Sequence, residues 1–100
     1  MIVSKLTIDI NKESPGLYSA CAMSGGVAVT DAVAYDRIEN AICGEAKSIP
    51  PGFAYFVEFT YSGMSTGTLT IPDAVVRASE LANRLIDLIA EEHRIMNKQQ

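Results

Sequence analysis

The segment Phe53–Tyr61, "FAYFVEFTY", constrains the fold of this chain more than any other. Phe53, Tyr55, Val57, Phe59 and Tyr61 fall at every second position, so an extended strand puts all five on one face. Ala54, Phe56, Glu58 and Thr60 fall on the other. A helix would scatter this aromatic row around its circumference, whereas a sheet covered on one side uses it directly. Immediately before it, Ile49-Pro50-Pro51-Gly52 cannot continue a helix or sit inside a sheet, so "EAKSIPPG" reads as a connector. After it, "SGMSTG" turns the chain through a loop longer than two residues, and "TLTI" returns as the partner strand.

The N-terminal segment Met1–Ile10 alternates in the same way. Ile2, Leu6, Ile8 and Ile10 share a face with Ser4, and Lys5, Thr7 and Asp9 point away. "NKESPG" then forms a turn or short loop. Leu17–Met23 and Gly26–Val29 read as two short strands joined at Ser24-Gly25-Gly26, the composition of a hairpin turn. Thr30 or Asp31 caps a helix that runs to about Cys43 and stops at Gly44. Its expected buried stripe is Ala34, Ile38, Ala41 and Ile42. A second helix opens at Pro72 and Asp73 and continues to about Met96, at roughly 1.5 Å per residue. Ala74, Ala78, Leu81, Leu85, Leu88 and Ile95 form its stripe, which Val75, Ala82, Ile86 and Ile89 widen and Glu92 interrupts.

The resulting order, β-ββ-α-ββ-α, predicts a single α+β domain over 1–96 with a frayed polar tail at 97–100. The expected layout is an antiparallel sheet of about five strands with two helices on one face. A chain of 100 residues with 48% apolar and 20% charged residues supports one core.

Charge and composition narrow the function. The net charge is −4, and each half of the chain carries six acids against four bases. That balance offers no basic patch for direct nucleic-acid binding and no cluster for an anionic membrane. The start lacks a secretory signal pattern and no apolar run reaches spanning length, so a cytoplasmic protein is expected. Cys21 and Cys43 are too few and too far apart for a zinc site or a disulfide scaffold; a single disulfide stays open if the fold brings them together, and the simpler reading is two buried small hydrophobes.

Catalytic patterns are weak. Ser24-Gly25-Gly26 satisfies neither the dinucleotide nor the P-loop spacing. A Ser24 or Cys21 nucleophile would need a base, and the only histidine, His93, falls on the surface of the last helix. Asp36 and Glu39 lack a ligating partner for a metal. The expectation is therefore no enzyme, no metal and no cofactor.

What remains is surface. Tyr35, Asp36 and Glu39 on the first helix, with Phe56 and Glu58 on the outer face of the aromatic strand, are the candidate residues for binding a larger protein partner. The spacing of the last helix suits a homodimer through 73–96. An alternative is a small-ligand or nucleotide-sequestering protein with Ser24, Gly25 and Gly26 around a dimer-interface pocket. The general character is similar to small phage or mobile-element proteins such as anti-CRISPR proteins, which are often compact, acidic and free of enzyme motifs. That group shares no motif, so the resemblance implies a regulator or inhibitor of a host system and assigns no residue.

Overall fold

The computed structural model describes residues 3–24 and 26–98. Its elements in chain order are β1 (Val3–Ser14), β2 (Leu17–Ser24), β3 (Val27–Ala28), β4 (Val33–Tyr35), α1 (Ile38–Ser48), β5 (Ala54–Tyr61), β6 (Met64–Ser65), β7 (Leu69–Thr70), α2 (Ile71–Val76) and α3 (Ala78–Lys98). The chain is α+β, and its described residues form one sheet of seven strands and three helices.

The sheet is mixed rather than antiparallel. β1 lies at its centre, antiparallel to β2 and parallel to β5, with Ile8 opposite Phe59 and Asp9 opposite Thr60. Adjacent parallel strands require a long crossover, and the β2–β4–α1 segment supplies it. β3 and β4 pair successive lengths of β2, while β6 and β7 pair successive lengths of β5. The short strands therefore finish the two edges of a β2-β1-β5 centre.

One sheet face carries the core. Leu6, Ile8, Ile10, Ala20, Ala22, Val57 and Phe59 are buried with Ile38, Ala41 and Ile42 of α1, Ala74 of α2, and Ala78, Leu81, Ala82 and Leu85 of α3. Tyr18 and Tyr61 meet edge to face beside this cluster, with ring centroids 6.0 Å apart. Within the aromatic row, Val57 and Phe59 form the centre, whereas Tyr55 projects into solvent at 61% exposure.

The ends of several elements correct the sequence reading. "NKES" extends β1 instead of leaving it, and the turn shrinks to Pro15-Gly16. Thr30 and Asp31 do not start a helix. Val33–Tyr35 pairs with Ala20–Tyr18 as β4, and the helix begins at Ile38. Ala34 is exposed on that strand, outside the helix stripe assigned to it. Gly44 does not end α1, which continues to Ser48, so only Ile49–Gly52 of the expected connector stays irregular.

Ser62 and Gly63 are both at positive φ, 53° and 83°, between paired Tyr61 and Met64. This is a two-residue hairpin turn, shorter than the loop expected there, and the twist of such turns matches that of the strands they join. Ile71 belongs to α2, where Thr70 caps the helix by accepting from the Asp73 N–H at 3.4 Å.

The long C-terminal helix is broken once, at Arg77 (φ −100°, ψ 15°). The bonds from Arg77 N–H to Asp73 and from Leu81 N–H to Arg77 keep the two pieces in sequence. Asn97 and Lys98, expected in the tail, continue α3, while Gln99 and Gln100 lie outside the described residues.

Candidate functional site

Three surfaces carry chemistry or unpartnered apolar area: the sheet face away from the helices, a pocket beside β4, and the outer half of α3.

The open sheet face follows from the two-residue period. Because Ile8, Ile10, Val57 and Phe59 point to the helices, Lys5, Thr7, Asp9, Glu58 and Thr60 point away from them. Lys5 Nζ donates to Glu58 Oε1 at 2.9 Å, and the Ser65 hydroxyl donates to Glu58 Oε2. Ser65 Oγ in turn accepts from the Gly67 N–H at 2.9 Å. One strand position along, Thr60 Oγ1 donates to Asp9 at 2.9 Å. Hydrogen bonds from Ser65 and then from Lys5 hold the Glu58 carboxyl below its ordinary range.

Stability from a depressed carboxyl is fully present above its unfolded pKa and disappears as pH falls through the folded one. The stability gap between the wild-type chain and Glu58→Gln should therefore be widest near neutrality. It should close as pH drops from about 5 to about 3, as read by thermal melts at each pH.

The pocket, of about 370 Å³, lies on the helix side of the sheet, between β1, β4, the end of α1 and the 49–53 connector. Its walls are chiefly Leu6, Ile8, Val29, Val33, Ile49 and Phe53. Among the described residues four polar side chains line it, Thr30, Tyr35, Glu45 and Ser48, and two of them are bonded to each other. Glu45 is buried at 7% exposure, and Tyr35 donates from its hydroxyl to Glu45 Oε2 at 2.7 Å. Burial first, and the bond to Glu45 second, push the Tyr35 phenol well above its usual range. Tyr35 thus stays a neutral donor.

The ring reaches this position because residue 44 is glycine. A Cβ there would sit 2.7 Å from Tyr35 Cε1 and 3.0 Å from its oxygen. Gly44 serves as a notch for a neighbouring ring, not as a helix terminator.

The sequence-predicted residues separate into three groups. Tyr35 lines the pocket, with Asp36 just beyond it, exposed and accepting from Asn40 Nδ2 at 2.7 Å. That bond is the main reason the Asp36 carboxyl titrates below its ordinary value. Glu39 is half-buried in the first turn of α1. Phe56 (42% exposed) and Glu58 lie across the sheet from the helix-side core, apart from the Tyr35–Glu39 group.

Ser24 pairs with Val27 where β2 meets β3, and Gly26 takes φ 81° in the connection. Gly25 lies outside the described residues. The Ser24 turn does not line the pocket, although Val29 and Thr30 just after it do.

Cys21 and Cys43 are both free and half-buried. Cys21 shares the open face with Asp9, its register partner, whereas Cys43 packs on the helix-side core, so the sheet separates them. Cys21 donates its thiol hydrogen toward the Thr30 carbonyl at 3.2 Å. Among the described residues no three metal-ligating side chains converge. No described helix is long and apolar enough to cross a membrane.

Glu45, Lys5, Asp9 and Ser65 were not singled out by sequence. For Glu45 a signal was present: Ile38, Ala41, Ile42, Glu45 and Ala46 follow helical spacing, which puts the carboxylate in the buried stripe once the helix passes Gly44.

On α3, Leu81, Ala82 and Leu85 are buried, and the same stripe continues outward through Leu88, Ile95 and Met96, exposed at 37%, 49% and 59%. Ile86 flanks it at 49%. The helix thus projects beyond the body, giving the molecule extents of 49 × 26 × 24 Å. Compared with known proteins, the chain matches no family model, no curated protein and no solved structure.

Proposed function

We propose that this chain is a non-enzymatic protein-interaction module that pairs with a second copy through the outer half of α3 and regulates or blocks a larger protein partner. The observation that carries the reading is the continuity of one helical stripe. Leu81 and Leu85 are sealed in the core, while Leu88, Ile95 and Met96 continue the row into solvent. An apolar stripe of this spacing is the usual means of helix–helix packing.

A second copy suits it for two reasons. A symmetric pair brings the same apolar face to both sides of the contact. From Arg84 to Lys98 the helix also carries Arg84, Arg94 and Lys98 against Asp87, Glu91 and Glu92, a balanced set within a chain of net charge −4. Two copies therefore meet there without the repulsion that the acidic remainder imposes.

Sedimentation over a concentration series should show a dimer. Leu88→Asp or Ile95→Asp should shift it to monomer while leaving the circular dichroism spectrum unchanged, because both side chains are exposed in the single chain. A wild-type protein that is monomeric throughout the micromolar range would remove this interface.

The larger partner is assigned to Tyr35, Asp36 and Glu39 on one side and to Phe56 and Glu58 on the other. An exposed aromatic beside a carboxylate, and the acidic entry to α1, support these surfaces. The reading includes a cytoplasmic setting and a phage-like inhibitor role. Charge reversal at Asp36 and Glu39, and Phe56→Ala, should each weaken the partner complex without unfolding the domain. Full retention in all three variants would reject both surfaces.

A further inference from the structure

We propose that the pocket beside β4 is a binding site for a small apolar ammonium compound, an aryl- or alkyl-amine, whose charged head meets Glu45 and whose hydrocarbon body fills the remaining space. Pockets for small molecules are typically concave and mostly apolar, with a few fixed polar groups, and a volume of about 370 Å³ is enough for one ring and a short chain.

The head group follows from what the wall lacks. Among the described residues Glu45 is the single charged one lining the pocket, and it is more than nine-tenths buried. Buried carboxylates are ordinarily matched by a cation or by several donors. Here, among the described residues, no Lys, Arg or His lies within ion-pair distance of Glu45, and a single bond from Tyr35 reaches it. An ionised carboxylate has about four acceptor sites, so Glu45 retains unused capacity.

The other two polar side chains on the wall are already bonded within the chain. Ser48 Oγ donates to the Gly44 carbonyl at 2.8 Å, and Thr30 Oγ1 accepts from the Ala22 N–H at 3.0 Å. Tyr35 has committed its hydroxyl hydrogen to Glu45. A carboxylate or phosphate ligand would meet a negative wall, whereas an ammonium would meet Glu45. Tyr35 and Phe53 also line the pocket, and aromatic rings are groups to which cations are drawn.

The test is a methyl-detected NMR titration of the whole chain with three probes of nearly equal size: phenethylammonium, 2-phenylethanol and 3-phenylpropionate. Saturable shifts should appear at the Val29, Val33 and Ile49 methyls. The ammonium should bind on the order of tenfold more tightly than the carboxylate, with the alcohol between them. Glu45→Gln should reduce that preference to about twofold or less while leaving weak binding of the apolar bodies. Should Glu45→Gln fail to fold, the ranking of the probes on the wild-type chain decides by itself. Equal affinities, a preference for 3-phenylpropionate, or no saturable shift at the pocket methyls would overturn the proposal.

Discussion

Phe59→Ala should destabilise the domain by about 3–5 kcal/mol, and Phe56→Ala, three residues earlier on the same strand, by under about 1 kcal/mol. Phe59 has 0% exposure, is the largest fully buried side chain, and faces the helices from β5 next to the central strand. Its removal deletes a ring from a site bounded by β1 and the helical layer, where the surrounding backbone is too firmly paired to collapse into the space. Phe56 lies on the opposite face, opposite Thr70 on the strand edge. Its loss costs only part of a cross-strand contact. Against a total stability on the order of 5–15 kcal/mol for a domain of this kind, the first change approaches unfolding and the second is barely seen. Urea titrations of both variants measure the difference. A large loss at Phe56 would place the core on the wrong side of β5.

The strand faces were legible because a two-residue period needs no knowledge of partners. Leu6, Ile8 and Ile10, like Val57 and Phe59, announce which side is buried wherever the strand is placed. Which strand lies beside which was not legible. β1 pairs in parallel with β5 because α1 carries the chain across the helical face, and that choice depends on how the whole layer packs. The start of α1 misled for a local reason. Thr30 and Asp31 are good capping residues, but Val33-Ala34-Tyr35 also suits a strand, and the free edge of β2 recruited it.

The same contest explains Phe53–Tyr61. Its alternation holds through Val57 and Phe59, yet at the start of the strand it fails: Tyr55 is exposed, and Ala54, expected on the other face, is buried in the core. At the pocket, reading Gly44 as a terminator hid Glu45 from the buried stripe. Glycine signals conformational freedom in a sequence, whereas here its value is the missing Cβ. Only the position of the Tyr35 ring, supplied from β4, reveals that.

Gly44→Ala should therefore destabilise the protein, by up to about 2 kcal/mol, although a glycine-to-alanine change inside a helix ordinarily stabilises by up to about 1 kcal/mol. The position is well within α1, so the backbone would welcome alanine. The new methyl, however, would stand 2.7 Å from Tyr35 Cε1, closer than carbon atoms can approach, so the ring must withdraw. Withdrawal removes the hydroxyl that donates to Glu45 and leaves a buried carboxylate without its bond, a loss of about 1–3 kcal/mol that outweighs the helical gain. A double-mutant cycle isolates this cause. In a Tyr35→Ala background the ring is absent, and Gly44→Ala should become stabilising by about 0.5–1 kcal/mol. Denaturant melts of the four proteins read the change of sign directly. If Gly44→Ala costs the same in both backgrounds, the notch is not what selects glycine at this position.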